Sequence, residues 1–375
     1  MLELGVALQD LGHDVVAAVH DYDSSTVIGD AATRLDIRAV HRGEVVQPVT
    51  RSELLRRQWQ GMSAVAKLIP EVDVVNAHEW PASRAARLAS RRLEVPWVWT
   101  RNDDTAWERG LIPDTTLFDT PSLAGRLARL AAGLPDVVDA RSADRIVVLS
   151  SRNAEAVRRA YRRDSEVLWC GPPDEFFTPP DRGEARERLG VGSDDFLAVA
   201  VGILFPHRRF EDLIQAVAEL RDEQRLQVRI VGSDHQDPAY ADMLERLVAE
   251  TGTGERIRLE RRGIPQAELR DLYAGSDVAV FPNRLQAYGL APLESLASGT
   301  PVILSTGTGV AEPLNGRPGV LLVPPETPRA IASALRTAMT TDLRAGVTPT
   351  REWIDRELGN RRYAERMVQI FQSVT

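Results

Sequence analysis

Two side chains eight positions apart, Gln286 and Glu294, frame the stretch RLQAYGLAPLESLASGTPVILS, residues 284–305. Glu294 offers a carboxylate, which accepts hydrogen bonds from a neutral diol such as a ribose. Gln286 offers a carbonyl acceptor and an amide donor without charge, so it can hold a sugar hydroxyl but not balance a cation. Between them, Tyr288, Gly289 and Leu290 lead into GLAPLESLAS, which reads as a short helix with Pro292 in its first turn and Gly299 just past its end. Backbone amides at such a helix start suit a diphosphate. A purely structural reading of Glu294 is also open, since the helix dipole favours a carboxylate in the first turn. If Pro292 opens the helix, Ala291 before it has no side chain to complete a capping box, which weakens that reading.

Two further places carry candidate chemistry. GILFPHRRF runs from Gly202, at the end of an apolar strand, into a helix through His207, Arg208 and Arg209. Adjacent guanidiniums suit a phosphate, and cations at a helix start oppose its dipole unless an anion is bound. His78 closes the strand DVVNAH and is followed by Glu79 and Trp80. In open parallel sheets ligands gather beyond the carboxyl ends of the strands, so this histidine reads as a substrate contact. It forms no metal motif with the other five histidines. The Asp21-Tyr22-Asp23 and Asp103-Asp104 pairs carry little weight as cation ligands, because such pairs are common in loops.

The elements that must hold these residues are short Val- and Ile-rich runs alternating with amphipathic stretches, the pattern of β/α units around parallel sheets. In the first half the strands are DVVAAV, DVVNAH, PWVWT and RIVVLS. In the second half they are FLAVAVG, QVRIVG, RIRLE, DVAVFP, PVILS and VLLVP. At 375 residues two domains are expected. CGPPDEFFTPPDRG, residues 170–183, is the linker. This places an N-terminal Rossmann-like domain at 1–169, a C-terminal one at 184–350, and a last helical segment at 351–375 that packs against either. Residues 2–11 read as a helix with no strand before it. Either a first strand lies upstream of Met1 or the domain begins atypically.

Composition narrows the function classes. A net charge of −8 with interleaved signs argues against a dedicated nucleic-acid protein. The single cysteine, Cys170, allows no internal disulfide and reads as a small buried apolar residue in a cytoplasmic protein. No segment approaches the ~20 apolar residues of a membrane span. RSELLRRQW and RRAYRR could touch anionic lipid but read better as solvated helix faces.

Taken together, these segments resemble glycosyltransferase family 4, retaining enzymes of the two-domain GT-B fold. The resemblance covers nearly the whole chain. LELGVALQDLGHDVVAAV, VDVVNAH and ADRIVVLSSRNAEAV resemble the acceptor half. VGILFPHRRFEDLIQAVAEL, VRIVGSD, ELRDLYAGSDVAVFPN and QAYGLAPLESLASGTPVI follow in the family's order and spacing. The resemblance implies an α/β GT-B fold, two Rossmann-like parallel-sheet domains facing a central cleft. Glu294 matches the second glutamate of the E-x7-E motif, which holds the donor ribose. Tyr288, Gly289 and Leu290 match the turn whose amides meet the donor sugar and diphosphate. Arg208 matches the basic residue on the diphosphate, and His78 a histidine near the reacting sugar.

Three departures stand out: Gln286 in place of the first glutamate, Ile203 where an arginine commonly contacts the diphosphate, and the absent first strand. Arg209 or His207 could replace the lost charge. The implied reaction is retaining transfer from a nucleoside diphosphate sugar to a small-molecule or glycan acceptor, through a front-face route with no required metal. His78, Arg208 and Gln286 would act at the reacting centre, and Gly202, Arg208, Arg209, Tyr288, Gly289, Leu290 and Glu294 would hold the donor. Two rivals remain: a degenerate relative that binds nucleotide sugar or a partner without turnover, and a nucleotide-sugar epimerase of similar fold.

Overall fold

A computed structural model describes residues 2–23, 31–43, 60–102, 111 and 122–375. RSELLRRQW, Asp103 and Asp104 lie outside them. The chain divides into two compact units, Met1–Cys170 with Asn360–Thr375, and Gly171–Gly359.

The first unit runs α1 (Leu2–Asp10), β1 (Val16–Tyr22), α2 (Ala31–Arg34), β2 (Asp36–Arg42), α3 (Met62–Leu68), β3 (Val75–His78), α4 (Ala82–Leu93), β4 (Trp97–Arg101), α5 (Leu123–Ser142), β5 (Arg145–Val148), α6 (Ser151–Tyr161) and β6 (Glu166–Val167). Its strands form two parallel sheets, β1-β2 and β3-β4-β5-β6. β4 is buried along all five residues, with the Trp97 and Trp99 rings 6.4 Å apart in the core. β1 is the opposite case: all seven of its residues are half-buried and none fully buried. Ser150 starts α6 by accepting a hydrogen bond from the Asn153 N–H at 3.3 Å, the expected work of an N-cap serine. In RRAYRR, Tyr161 is buried, and Arg163 donates to the carbonyls of Ala140, Arg141 and Ala143 at the end of α5. Burial pushes the Cys170 thiol up to about 12, which leaves it protonated at neutral pH.

The second unit runs α7 (Arg182–Leu189), β7 (Phe196–Val201), α8 (Phe210–Glu219), β8 (Leu226–Gly232), α9 (Pro238–Thr251), β9 (Ile257–Arg261), α10 (Gln266–Gly275), β10 (Val278–Phe281), α11 (Ala291–Ala297), β11 (Val302–Ser305), α12 (Ala311–Leu314), β12 (Val320–Val323), α13 (Pro328–Thr340) and α14 (Val347–Leu358). Its six parallel strands lie in the order β12-β11-β10-β7-β8-β9. The order reverses between β7 and β10, where Val278 pairs with Ala198. This is the switch point at which doubly wound sheets open a crevice. Leu197, Val199, Ile230, Val280 and Ile303, each at most 1% exposed, fill the sheet's faces.

The terminal segment expected as one helical stretch is two helices, because Gly359 takes an extended conformation between α14 and α15 (Asn360–Gln372). α15 belongs to the first unit and packs on α1. Among the described residues no helix is long and apolar enough to cross a membrane.

Candidate functional site

The switch point is built first by backbone. β7 gives way to Gly202, whose N–H donates to the Val231 carbonyl at 3.1 Å. A Cβ on Gly232 would stand 1.8 Å from the Gly202 oxygen, so only a glycine lets the ends of β7 and β8 come this close. The chain then turns through Pro206–Arg208 and enters α8 at Arg209, which has a φ of 56°.

The charged residues of this turn part company. Arg209 forks onto Asp212, with Nη2 and Nε at 2.8 and 3.1 Å, and lies 2.8 Å from Glu211 and 3.7 Å from Glu326. These carboxylates answer the cation at the start of α8, so the conflict with the helix dipole is settled here by ion pairs. Arg208 donates no side-chain hydrogen bond to any described residue, and its Nε is buried. Burial lowers its pKa, and the neighbouring Tyr273 works the other way. A guanidinium remains protonated under such a shift, so the fold holds a cation short of partners.

Tyr273, wholly buried at the end of α10, sits between two functional candidates. Burial raises its pKa first and the Glu294 carboxylate second, while Arg208 opposes both. Arg208, Tyr273 and Glu294 are therefore electrostatic neighbours, although they come from three separate segments.

Glu294 lies in α11, which starts at Ala291, one residue before Pro292, with no side chain capping Leu290. The loop before it is sewn to the segment after β11. The Gln286 N–H donates to the Gly307 carbonyl and the Gly309 N–H to the Gln286 carbonyl, both at 3.0 Å. The Gln286 Oε1 accepts from Asn283 Nδ2 at 2.8 Å. Gly289 has a φ of 101°, and a Cβ there would lie 2.9 Å from that same Oε1. Glycine thus allows the turn and leaves the Gln286 head accessible. Tyr288 is buried, and its carbonyl accepts from the Val310 N–H at 3.0 Å. Leu290 is exposed.

Arg284 and Tyr273 are additions that the sequence motifs did not single out. The Arg284 N–H donates to the His207 carbonyl at 2.9 Å, and its guanidinium lies 4.0 Å from Glu326. Burial first, then Arg208 and Arg284, push His207 down to about 4. The unfolded chain keeps an imidazole near ~6.5, so it binds a proton that the folded chain refuses. Stability from this group is constant above about pH 6.5 and falls as pH drops towards 4. His207→Gln should flatten that part of the curve. Urea midpoints compared between neutral and acidic buffer check it, and equal slopes for both proteins would refute it.

His78 belongs to the first unit, at the last position of β3, half-buried. Burial is the main reason its pKa falls to about 3, so it is neutral at pH 7 and offers a hydrogen bond, not a charge. Glu79 turns beside it with a φ of 61° and accepts from the Asn102 N–H at 3.1 Å. Asp21 is hydrogen-bonded to His20 at 2.8 Å. Among the described residues no three His, Cys, Asp or Glu side chains are grouped to hold a metal ion.

Comparison with known proteins extends this geometry. Residues 1–174 match the family described as Glycosyltransferase Family 4, and residues 181–351 the one described as Glycosyl transferases group 1. D-inositol 3-phosphate glycosyltransferase 1 of Catenulispora acidiphila is 30% identical over 291 residues, 74% of this chain and 67% of that relative. The chain belongs to glycosyltransferase family 4. This family 4 chain spans between 58% and 67% of the length of the first few curated relatives it matches. Sucrose-phosphate synthase from Thermosynechococcus elongatus matches with a TM-score of 0.75 at 21% identity, covering 99% of this chain and 91% of that one. Anabaena Alr3699/HepE, solved in complex with UDP and glucose, matches with a TM-score of 0.74 at 17% identity, covering 99% and 96%. At such identities the likeness speaks for the fold alone, the GT-B pair of Rossmann-like parallel-sheet domains.

Proposed function

We propose that this protein is a retaining glycosyltransferase that moves a sugar from a nucleoside diphosphate donor to a hydroxyl of a small phosphorylated polyol. The observation that carries the reading is Arg208, a largely buried guanidinium short of a counter-ion, beside Tyr273 and Glu294 at the switch point of the second unit. A diphosphate supplies the missing charge, and Glu294 accepts the ribose hydroxyls. Supporting the donor class, the Anabaena neighbour was solved with UDP and glucose. Supporting the acceptor class, the curated relatives are named for D-inositol 3-phosphate.

In this mechanism the bond between the anomeric carbon and the diphosphate oxygen breaks as negative charge grows on the leaving group. Arg208 stabilises that charge in a site shielded from water, with Gly202 leaving room beside its guanidinium. Arg284 adds the positive charge that Ile203 does not. The amides of Gly289 and Leu290 and the Tyr288 turn border the donor, and Arg209 holds α8 through Asp212. The acceptor oxygen bonds to the same face of the sugar and passes its proton to the leaving phosphate. Neutral His78 steadies a sugar hydroxyl, and Gln286 accepts another through the lone pair that Asn283 leaves free.

Calorimetric titration with UDP, GDP, ADP and TDP tests the donor site, and saturable binding of UDP is the expected result. UDP-sugars are then assayed with inositol phosphates, and product anomers are read by NMR. No binding by any nucleotide would reject the donor site, and inverted product would reject the front-face route. Gln286→Glu places a carboxylate where Asn283 already donates. It should raise kcat by up to about tenfold, the value of one charged over one neutral hydrogen bond. A lower kcat at unchanged nucleotide affinity would show that the amide is the better group here.

A further inference from the structure

Three loops of the second unit converge beyond the carboxyl ends of its strands, and each brings one charged residue. Arg209 follows β7, Arg284 follows β10 and Glu326 follows β12. The Glu326 carboxylate lies 3.7 Å from the Arg209 guanidinium and 4.0 Å from that of Arg284. The two arginines differ in need. Arg209 has closer carboxylates in Glu211 and Asp212, each at 2.8 Å. Arg284 has no other carboxylate within ion-pair reach among the described residues, and its buried Nε has no hydrogen-bond partner there. Its side chain is 22% exposed, that of Glu326 47%. No described residue donates a hydrogen bond to the Glu326 carboxylate, so charge alone holds it, at a separation where an ion pair open to solvent is weak. Glu326 also has a φ of 55°, a left-handed conformation that costs energy for any residue with a Cβ. Glu94 and Arg162, which share that conformation, close α4 and α6 as helix caps, whereas Glu326 closes no helix. Strain of this kind gathers at ligand clamps.

Given the donor site proposed above, on which this rests, we propose that Glu326 is the resident counter-ion of Arg284. The donor diphosphate displaces it on binding, and it returns to Arg284 when the nucleoside diphosphate leaves. The competition favours phosphate. A guanidinium takes two phosphate oxygens in a planar fork at about 2.8 Å, whereas Glu326 comes no nearer than 4.0 Å. Displacement is cheap, because the carboxylate is already half in water and turns further into it. Its nearness still weakens binding, since its charge and those of the phosphates are alike and compete for one cation. Arg208 and Arg284 together would hold a diphosphate more tightly without it. That moderation matters after transfer, when the leaving group those cations have stabilised must depart, and product release limits turnover in many enzymes. Arg209 keeps Asp212 and Glu211 in both states, so α8 stays fixed while Arg284 exchanges partners.

Calorimetric titration with UDP and stopped-flow measurement of UDP release, on the wild type, Glu326→Gln, Arg284→Gln and the double variant, decide the matter. Glu326→Gln should bind UDP about fivefold more tightly and release it more slowly by a similar factor, and the difference should shrink as salt is raised. In the Arg284→Gln background the same substitution should gain only about twofold, the remainder left by simple repulsion. Glu326→Gly suits a φ of 55° and supplies a second uncharged variant should the glutamine not fold. A carboxylate with a merely structural role would leave binding unchanged or weaken it when replaced. Either of those results overturns the proposal, as does an equal gain in both backgrounds. Arg208→Ala checks the donor site separately: UDP bound by the wild type and lost in this variant keeps that site standing whatever Glu326 does. No binding of UDP, GDP, ADP or TDP by the wild type would remove the donor site and the role of Glu326 with it.

Discussion

Arg208→Ala should lower kcat by about 10² to 10³-fold, the usual loss when one preorganised donor to a developing oxyanion is removed. Stability should move the other way or not at all. The wild-type side chain is a largely buried cation that donates to no described residue, so its removal relieves a desolvation cost and breaks no ion pair. An enzyme that is slower yet melts no earlier would have the signature of a residue kept for its ligand. Arg208→Lys keeps the charge but loses the planar fork, and should fall between. Steady-state kinetics beside thermal melts of the unliganded proteins decide the matter. A variant that melts many degrees lower would mean that Arg208 is structural and the assignment is wrong.

Glu294→Ala should weaken nucleotide binding by about 10 to 100-fold, since a hydrogen bond to a charged group is worth ~1.5–3 kcal/mol. The sharper readout is discrimination. If the carboxylate holds ribose hydroxyls, the wild type prefers UDP over its deoxyribose counterparts, and that preference vanishes in the variant. Tyr273 gives a control, because its hydroxyl lies beside the same carboxylate in the core. Tyr273→Phe should leave the sugar preference standing while changing affinity less. Equal preference in the wild type and Glu294→Ala would remove the ribose from the assignment.

Much of this was legible before any coordinates. The ten strands read from apolar runs are all present, because buried parallel strands must be nearly continuous in Val, Ile and Leu. β2 and β6 were missed for the same reason reversed. DIRAVHR mixes charges into an exposed edge, and β6 is two exposed residues long. Glu294, Gly289 and Gln286 were readable because one loop and one helix carry them within nine residues. Tyr273 was not, since its place beside Glu294 and Arg208 depends on the packing of three separate segments. Nor was the contrast between Arg208 and Arg209 visible. Neighbours in sequence with identical side chains, they part because Arg209 itself takes a left-handed backbone and forks onto Asp212, while Arg208 keeps a buried Nε with no side-chain partner among the described residues.

The course of the chain itself has a practical consequence. The second unit is one unbroken segment, 171–359, while the first is assembled from both ends of the polypeptide. In effect the second unit is a guest spliced into its host, tied to it by two covalent crossings at 170–171 and 359–360. A deletion of the last sixteen residues would thus injure the half that begins at the opposite terminus, stripping α15 from α1. The guest, in contrast, is one continuous segment that could be excised whole, and nucleotide titrations on it alone would test the proposed donor site apart from every contribution of the host.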